Sequence, residues 1–357
     1  MLVRLNDLPQ GVSYLMHPTD LPKGEPRLTI LNDLHLGVNR SAGTTPASRV
    51  ALKDYMFEEF KRLLPDNDLM ILGDLFDSFD VPLADLFKAY QILHKWLDKG
   101  HTLFLVAGNH DLSKTSTVLG SFKLLGELLR KQFNYKVVLI TSPTLTHYGY
   151  VIPHLPNQTL FDEALKNVQK IPNLFLHCNY NNFFAAQSDQ SLNLSALQAD
   201  SLPVDNIFIA HEHQARCTGK VILPGNQIAS SVSDWLNCKF KAYLTIDEEN
   251  TWSLNSCATS SEMFLERDWK DLTLTDHKFI RVIGTASASE ASQVVNAIST
   301  FRAASPAFVV SNAVRIEADG SQSGFAEALE AVQGFDVWQA LAATLQPADM
   351  GVLKGLK

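Results

Sequence analysis

Five short apolar runs in this chain each end in residues that bind metals or carry protons. Leu28–Leu31 (LTIL) runs into Asn32-Asp33-Leu34-His35. Leu69–Leu72 (LMIL) runs into Gly73-Asp74-Leu75-Phe76-Asp77. Thr102–Ala107 (TLFLVA) runs into Gly108-Asn109-His110-Asp111. Asn173–Leu176 runs into His177, and Asn206–Ala210 runs into His211-Glu212-His213. In open α/β sheets, sites assemble at the carboxyl ends of strands. Distant segments can therefore converge on one crevice.

The rest of the chain is consistent with such a sheet. Helical stretches are expected from about Ala47 to Leu64, Leu83 to Lys99 and Val118 to Phe133, between the first apolar runs. This βαβαβα order with continuous apolar strands implies a parallel sheet covered on both faces. Beyond it, VVLI, TLTHYG and YVIPHLP (Val137–Pro156) read as shorter strands, NLFLH and NIFIAH as buried ones, and KVILPG and KAYLTID continue the β pattern. Together these suggest a second sheet packed on the first. The expected fold class is α/β, a layered β-sandwich flanked by helices.

A polar, charged stretch near Ser260–Asp276 predicts a boundary, with a catalytic domain over 1–265 and a small α+β cap with a helical tail over 266–357. In the cap, HKFIRVIGT reads as a strand, SEASQVVNAISTFRA as a helix and AFVVSNAVRIEA as a strand. Residues 1–26 read as an irregular lead-in or edge strand, and Phe335–Leu345 as part of a helix that docks a partner or packs on its own domain.

With 357 residues, 46% of them hydrophobic, the chain can build a full core. Its net charge of −8 shows no broad basic face, although bound cations would add positive charge locally. Cys178, Cys217, Cys238 and Cys257 form no Cys-x-x-Cys pair, which argues for reduced thiols rather than a zinc knuckle. The amino-terminal segment lacks the apolar core of a signal peptide, and no apolar run approaches a membrane span. A cytoplasmic protein with no membrane partner is expected (host cytoplasm, were it phage-encoded).

The donor types form a set. Carboxylate and amide oxygens with imidazole nitrogens suit borderline divalent ions. Two such ions roughly 3.5–4 Å apart clamp the attacking and leaving oxygens of a phosphoryl transfer. One ligand must then lie between them; a carboxylate can use both oxygens, whereas an imidazole offers one nitrogen per metal.

The five blocks resemble the calcineurin-like metallophosphoesterase superfamily, over roughly residues 27–215, with Ala210 in place of the last motif's glycine. The resemblance implies one ion held by Asp33, His35 and His213, a second held by Asn109, His177 and His211, and Asp74 bridging. Two divalent ions are implied, Mn2+ foremost, with Fe2+, Zn2+ or Mg2+ as alternatives. It also implies His110 as the general acid or a donor to the transition state, Asp77 orienting His110, and a metal-bound hydroxide as nucleophile. Ser78 and Asp111 argue against the protein Ser/Thr phosphatase branch. The Leu-His-Cys form of the fourth block, Tyr150–Pro156, Pro224-Gly225-Asn226 and the LPGNQIASSVSDW segment resemble SbcD-type nucleases of double-strand-break repair and phage recombination. That implies an exo- or endodeoxyribonuclease acting on DNA, an SbcC/Rad50-like ATPase subunit and a homodimer. An enzyme of small nucleotides, cyclic nucleotides or phosphorylated DNA ends is the alternative, and a non-catalytic scaffold is a third reading. Residues Asn39–Thr45 form an insertion after the first block, either an ordinary surface loop or part of the substrate entrance.

Overall fold

The computed structural model describes residues 26–38, 45–112, 120–182, 192–237, 241–257 and 263–317. The lead-in, the tail with Phe335–Leu345, and the insertion apart from Thr45 lie outside them. Thr45 caps the first helix, accepting from the Ser48 N–H at 3.2 Å.

The first half is a run of strands and helices in alternation. These are β1 (Pro26–Leu31), α1 (Pro46–Leu63), β2 (Asp68–Leu72), α2 (Leu83–Leu97), β3 (Leu103–Val106), α3 (Ser121–Phe133) and β4 (Val137–Ile140). The second sheet comes from β5 (Thr144–Thr146), β6 (Gly149–Ile152), α4 (Gln158–Lys166), β7 (Ile171–His177), the short pair β8 (Asn179–Tyr180) and β9 (Asn193–Leu194), α5 (Ala196–Ser201), β10 (Val204–Ala210), β11 (Arg216–Thr218) and β12 (Val221–Leu223). The chain then returns through α6 (Val232–Asn237) to β13 (Ala242–Asp247) and β14 (Trp252–Ser256). The strand orders are β14-β13-β1-β2-β3-β4 and β11-β12-β10-β7-β6-β5.

Parallel pairing of β1, β2, β3 and β4 aligns their carboxyl ends. The continuous apolar runs now have a physical reason, because successive side chains point to opposite faces and both faces are covered. Leu69 and Ile71 join Leu52, Met56 and Phe60 of α1 in a helix-side core. Met70 and Leu72 join Phe175 and Phe208 of the second sheet in an inter-sheet core. The outer face of the second sheet is closed by Phe161, Ala164 and Leu165 of α4. Each large apolar side chain so buried contributes about 1.5–3 kcal/mol. The result is a helix–sheet–sheet–helix sandwich of mixed α/β class.

Two strands sit elsewhere than expected. VVLI is the fourth parallel strand of the first sheet, and KAYLTID (β13) pairs antiparallel with β1 rather than extending the second sheet. Apolar alternation fixes which faces are buried, not which neighbour a strand pairs with.

Two compact units separate. The first holds the chain to Glu266 with Leu274–Arg281 and Ser305–Ser311. The carboxyl-terminal elements are β15 (Phe264–Asp268), β16 (Phe279–Ile283), β17 (Thr285–Ser287), α7 (Ala291–Ala304), β18 (Phe308–Asn312) and β19 (Arg315–Glu317). Within the first unit, Phe264, Phe279 and Phe308 stack in a row, with centroids 5.4 and 6.1 Å apart. The second unit, by itself, pairs β17 with β19 in parallel and buries Val294, Ile298 and Phe301 of α7. The expected strand AFVVSNAVRIEA is broken in two. The Asn312 side chain accepts from the Val314 N–H at 3.2 Å, a local bond that competes with strand pairing. Among the described residues no helix is long and apolar enough to cross a membrane.

Candidate metal centre

The turn after β1 is sewn to the turn after β2. Asp33 N–H donates to the Gly73 carbonyl (3.1 Å), His35 N–H to Asp74 (3.0 Å) and Leu36 N–H to Leu75 (2.8 Å). Parallel pairing thus continues past the strand ends and brings Asp33 and His35 beside Asp74. The second sheet supplies its ligands from neighbouring strands, since His177 and Ala210 are register partners. The sheets are tied at the same edge by His177 Nδ1 to the Leu72 carbonyl (3.1 Å) and by His211 N–H to Asp33 Oδ2 (2.9 Å).

Among the described residues, two donor groups that share no residue result, and His35, Asp77 and His110 form a third that overlaps the first. Asp33, His35 and His213 offer atoms within 4.8 Å of one another, and so do Asp74, His177 and His211. Asn109 belongs with the second group; its Oδ1 lies 3.0 Å from His177 Nε2 and 2.9 Å from His211 Nδ1. Asp74 stands between the groups, with Oδ2 3.5 Å from His177 Nε2 and 4.0 Å from His35 Nε2. Its other oxygen accepts from the His110 N–H at 2.9 Å.

These residues fit divalent cations on three counts. Asp33 Oδ1 is buried with no hydrogen-bond partner, while Oδ2 is held by Asn32 Nδ2 at 2.6 Å. The Nε2 atoms of His35 and His213 face each other at 3.1 Å, while carboxylates of Asp77 and Asp234 lie 3.5 and 3.4 Å from their Nδ1 atoms. With Nδ1–H turned to a carboxylate, each Nε2 presents a lone pair, and two facing lone pairs call for a cation.

The third count is electrostatic. Burial lowers the His177 imidazolium, but Asp74 and Asp33 outweigh it and raise its pKa to about 9. His35 is raised likewise, burial being outweighed by Asp77, Asp74 and Asp33. Burial lifts the Asp74 carboxyl, yet His177, His35 and His110 hold it well below the carboxylate range. The carboxylates draw positive charge into the centre, the role a divalent ion fills. Burial and the neighbouring His177 push His211 down to about 4 and His154 to about 3, so those rings stay neutral.

Geometry this close is bought with backbone strain. Among the described residues, seven non-glycine residues have positive φ; Asp33 (50°), His35 (45°), Asp74 (48°) and His211 (99°) are four, and the other three are asparagines, which tolerate it. Ala210 is not among them, so its methyl group needs no glycine-only conformation. Gly73 is required by both its left-handed φ of 84° and space, and Gly108 by space. A Cβ on Gly73 would land in the His177 ring, and one on Gly108 in the Asp74 carboxylate.

His110 stands beside the donor groups, its ring edge-on to His35 with centroids 4.9 Å apart. Its Nδ1 is held by the backbone carbonyl of Asp77 at 2.7 Å. Asp77 therefore reaches His110 through its main chain, while its carboxylate faces His35. Two residues behind the donor groups, Asp111 at the end of the third block and Gln227 in the LPGNQIASSVSDW segment, were given no supporting role by the sequence. The Asp111 carboxylate accepts from the N–H groups of Gly108 (3.0 Å), Phe76 (3.3 Å) and Leu75 (3.4 Å). Burial and Asp74 raise its pKa to about 7. Gln227 receives no ligand role but clasps Asn32, accepting from its N–H at 2.7 Å.

The profile described as calcineurin-like phosphoesterase matches residues 26–215. No curated protein matches the chain. Among solved structures, the phosphopantetheinyl hydrolase of Mycobacterium tuberculosis is similar at 13% identity and a TM-score of 0.36, over 60% of this chain and 93% of that one. The cold-active protein-tyrosine phosphatase of a psychrophilic Shewanella species is similar at 11% identity and a TM-score of 0.31, over 68% of this chain and 89% of that one.

Proposed function

Because the chain belongs to the calcineurin-like phosphoesterase family, whose members hydrolyse phosphoesters with divalent metals, we propose that it is a two-metal phosphodiesterase whose substrate is DNA. The observation that carries the two-metal reading is Asp74, buried between two donor groups with one oxygen within 4.0 Å of a histidine from each. Asp33, His35 and His213 would hold one ion, Asn109, His177 and His211 the other, and Asp74 both. Two bound divalent ions, Mn2+ foremost, would lower the pKa of water and stabilise charge on the phosphoryl oxygens. His110, fixed at Nδ1 by the Asp77 carbonyl, would use its other nitrogen to donate a proton to the leaving oxygen or a hydrogen bond to the transition state.

DNA as substrate is supported by the SbcD-like form of the fourth block, Leu176-His177-Cys178, and by Tyr150–Pro156 and Pro224-Gly225-Asn226 outside the five blocks. The same likeness supports an SbcC/Rad50-type ATPase partner and a homodimer. The net charge of −8 favours a second reading, hydrolysis of small phosphodiesters, nucleotides or phosphorylated DNA ends. The test offers the purified protein, with Mn2+, both linear DNA and bis-p-nitrophenyl phosphate. Loss of DNA is the expected result. Rapid turnover of the small diester with DNA intact at every salt concentration would overturn the nuclease reading in favour of the second.

A further inference from the structure

His213 is gripped from behind by a buried ion pair. Asp234 Oδ1 lies 3.4 Å from His213 Nδ1 and accepts from Lys241 Nζ at 3.1 Å. The Lys241 ammonium also donates to Asn226 Oδ1. Lys241 is only 1% exposed. The other Asp234 oxygen is fully engaged, accepting from Asn226 Nδ2 (2.7 Å) and the Ser230 N–H (2.9 Å). We propose that Asp234, backed by Lys241, is a positioning residue for His213, turning its Nε2 toward the ion shared with Asp33 and His35. The inference rests on the two-metal reading above.

The geometry separates this role from simple loop fastening. Oδ2 fastens the Asn226–Ser230 segment to α6, which carries Asp234. The 3.4 Å approach of Oδ1 to His213 Nδ1 adds nothing to that fastening, but it favours the tautomer with the proton on Nδ1 and the lone pair on Nε2. Nε2 then sits 3.1 Å from His35 Nε2, in the donor group. Asp77 takes the matching position behind His35. Carboxylates behind metal-bound imidazoles fix ring orientation and raise ligand basicity, and losing one costs 10–100-fold in metal affinity. Burying an ammonium is expensive unless it is paired. Lys241 is paired here with the one carboxylate that reaches His213, so the carboxylate is held in place and its charge is partly offset. Asn226 closes the arrangement, because its N–H lies 3.4 Å from the His213 carbonyl.

The experiment strips the full-length protein of metal and titrates it with Mn2+ by calorimetry, comparing wild type, Asp234→Asn and the double variant Asp234→Asn/Lys241→Met. The double variant leaves no unpaired ammonium behind. Wild type is expected to take up two equivalents. Both variants should keep one equivalent at wild-type affinity and bind the other 10–100-fold more weakly. Two equivalents at unchanged affinity in a folded variant would overturn the positioning role while leaving the two-metal reading intact. Equal weakening of both equivalents would also overturn it, since that is the signature of general loosening. No Mn2+ bound by wild type would overturn the two-metal reading and the inference with it.

Discussion

His110 and the residues of the two separate donor groups are neighbours in space. The histidines of these two groups turn a nitrogen toward one another or toward Asn109, and His110, like His177, is fastened through Nδ1 to a backbone carbonyl. Removing its ring leaves every donor atom of the two groups in place. His110→Ala should therefore retain both metals and lose turnover on the order of 10²-fold or more. Metal content and kcat measured on one preparation check this, and loss of metal along with turnover would make His110 a ligand instead. At this scale the donor residues were legible in the sequence, because Asp, Asn and His can hold a divalent ion whatever surrounds them, and the structure brings them together. The supporting roles were not legible. Asp111 closes the third block and Asp234 lies in LPGNQIASSVSDW, but their reach to Leu75 and His213 spans intervals that no local pattern marks. The glycines of Gly73-Asp74 and Gly108-Asn109 could be read as turn formers, which the φ of 84° at Gly73 bears out, but the His177 ring and the Asp74 carboxylate lying where a Cβ would be could not be read.

Between elements, Asp111 joins the turns after β2 and β3, alongside the links made by Asp74 and His110. Asp111 is buried and accepts from Gly108 of its own turn and from Leu75 and Phe76 of the other. Asp111→Ala would leave these N–H groups without their acceptor in a closed interior, where each unsatisfied group costs about 1–3 kcal/mol. Urea unfolding of the metal-free protein should show a loss on the order of 2–4 kcal/mol, the longer two bonds contributing less. A loss within about 0.5 kcal/mol, as for an ordinary surface substitution, would show that the turns do not depend on it. The strands themselves were readable as apolar runs, and the helices as their spacers. Pairing was not, since β13 and β4 are as apolar as their neighbours and only the three-dimensional sheet decides that both join the first. The break between β18 and β19 was hidden because it depends on one Asn312 side chain bonding locally.

Over the whole molecule, two sheets meet at one edge and bring five separate turns to a common point. Sandwich packing makes this possible. The inter-sheet core from Met70 and Leu72 to Phe175 and Phe208 fixes the sheets against each other, and the His177 and His211 bonds to the first sheet follow from that alignment. The overall class was legible because motif order and strand order coincide. Substrate choice was much less so, as it rests on the form of the fourth block and on segments outside the five blocks. The central claim is that two cations share Asp74. Metal analysis of the purified protein at neutral pH, with Asp74→Ala alongside, tests it most directly. Two equivalents of divalent metal per chain, lost in Asp74→Ala, is the predicted result; no metal in the wild type, or two equivalents retained by the variant, would contradict it.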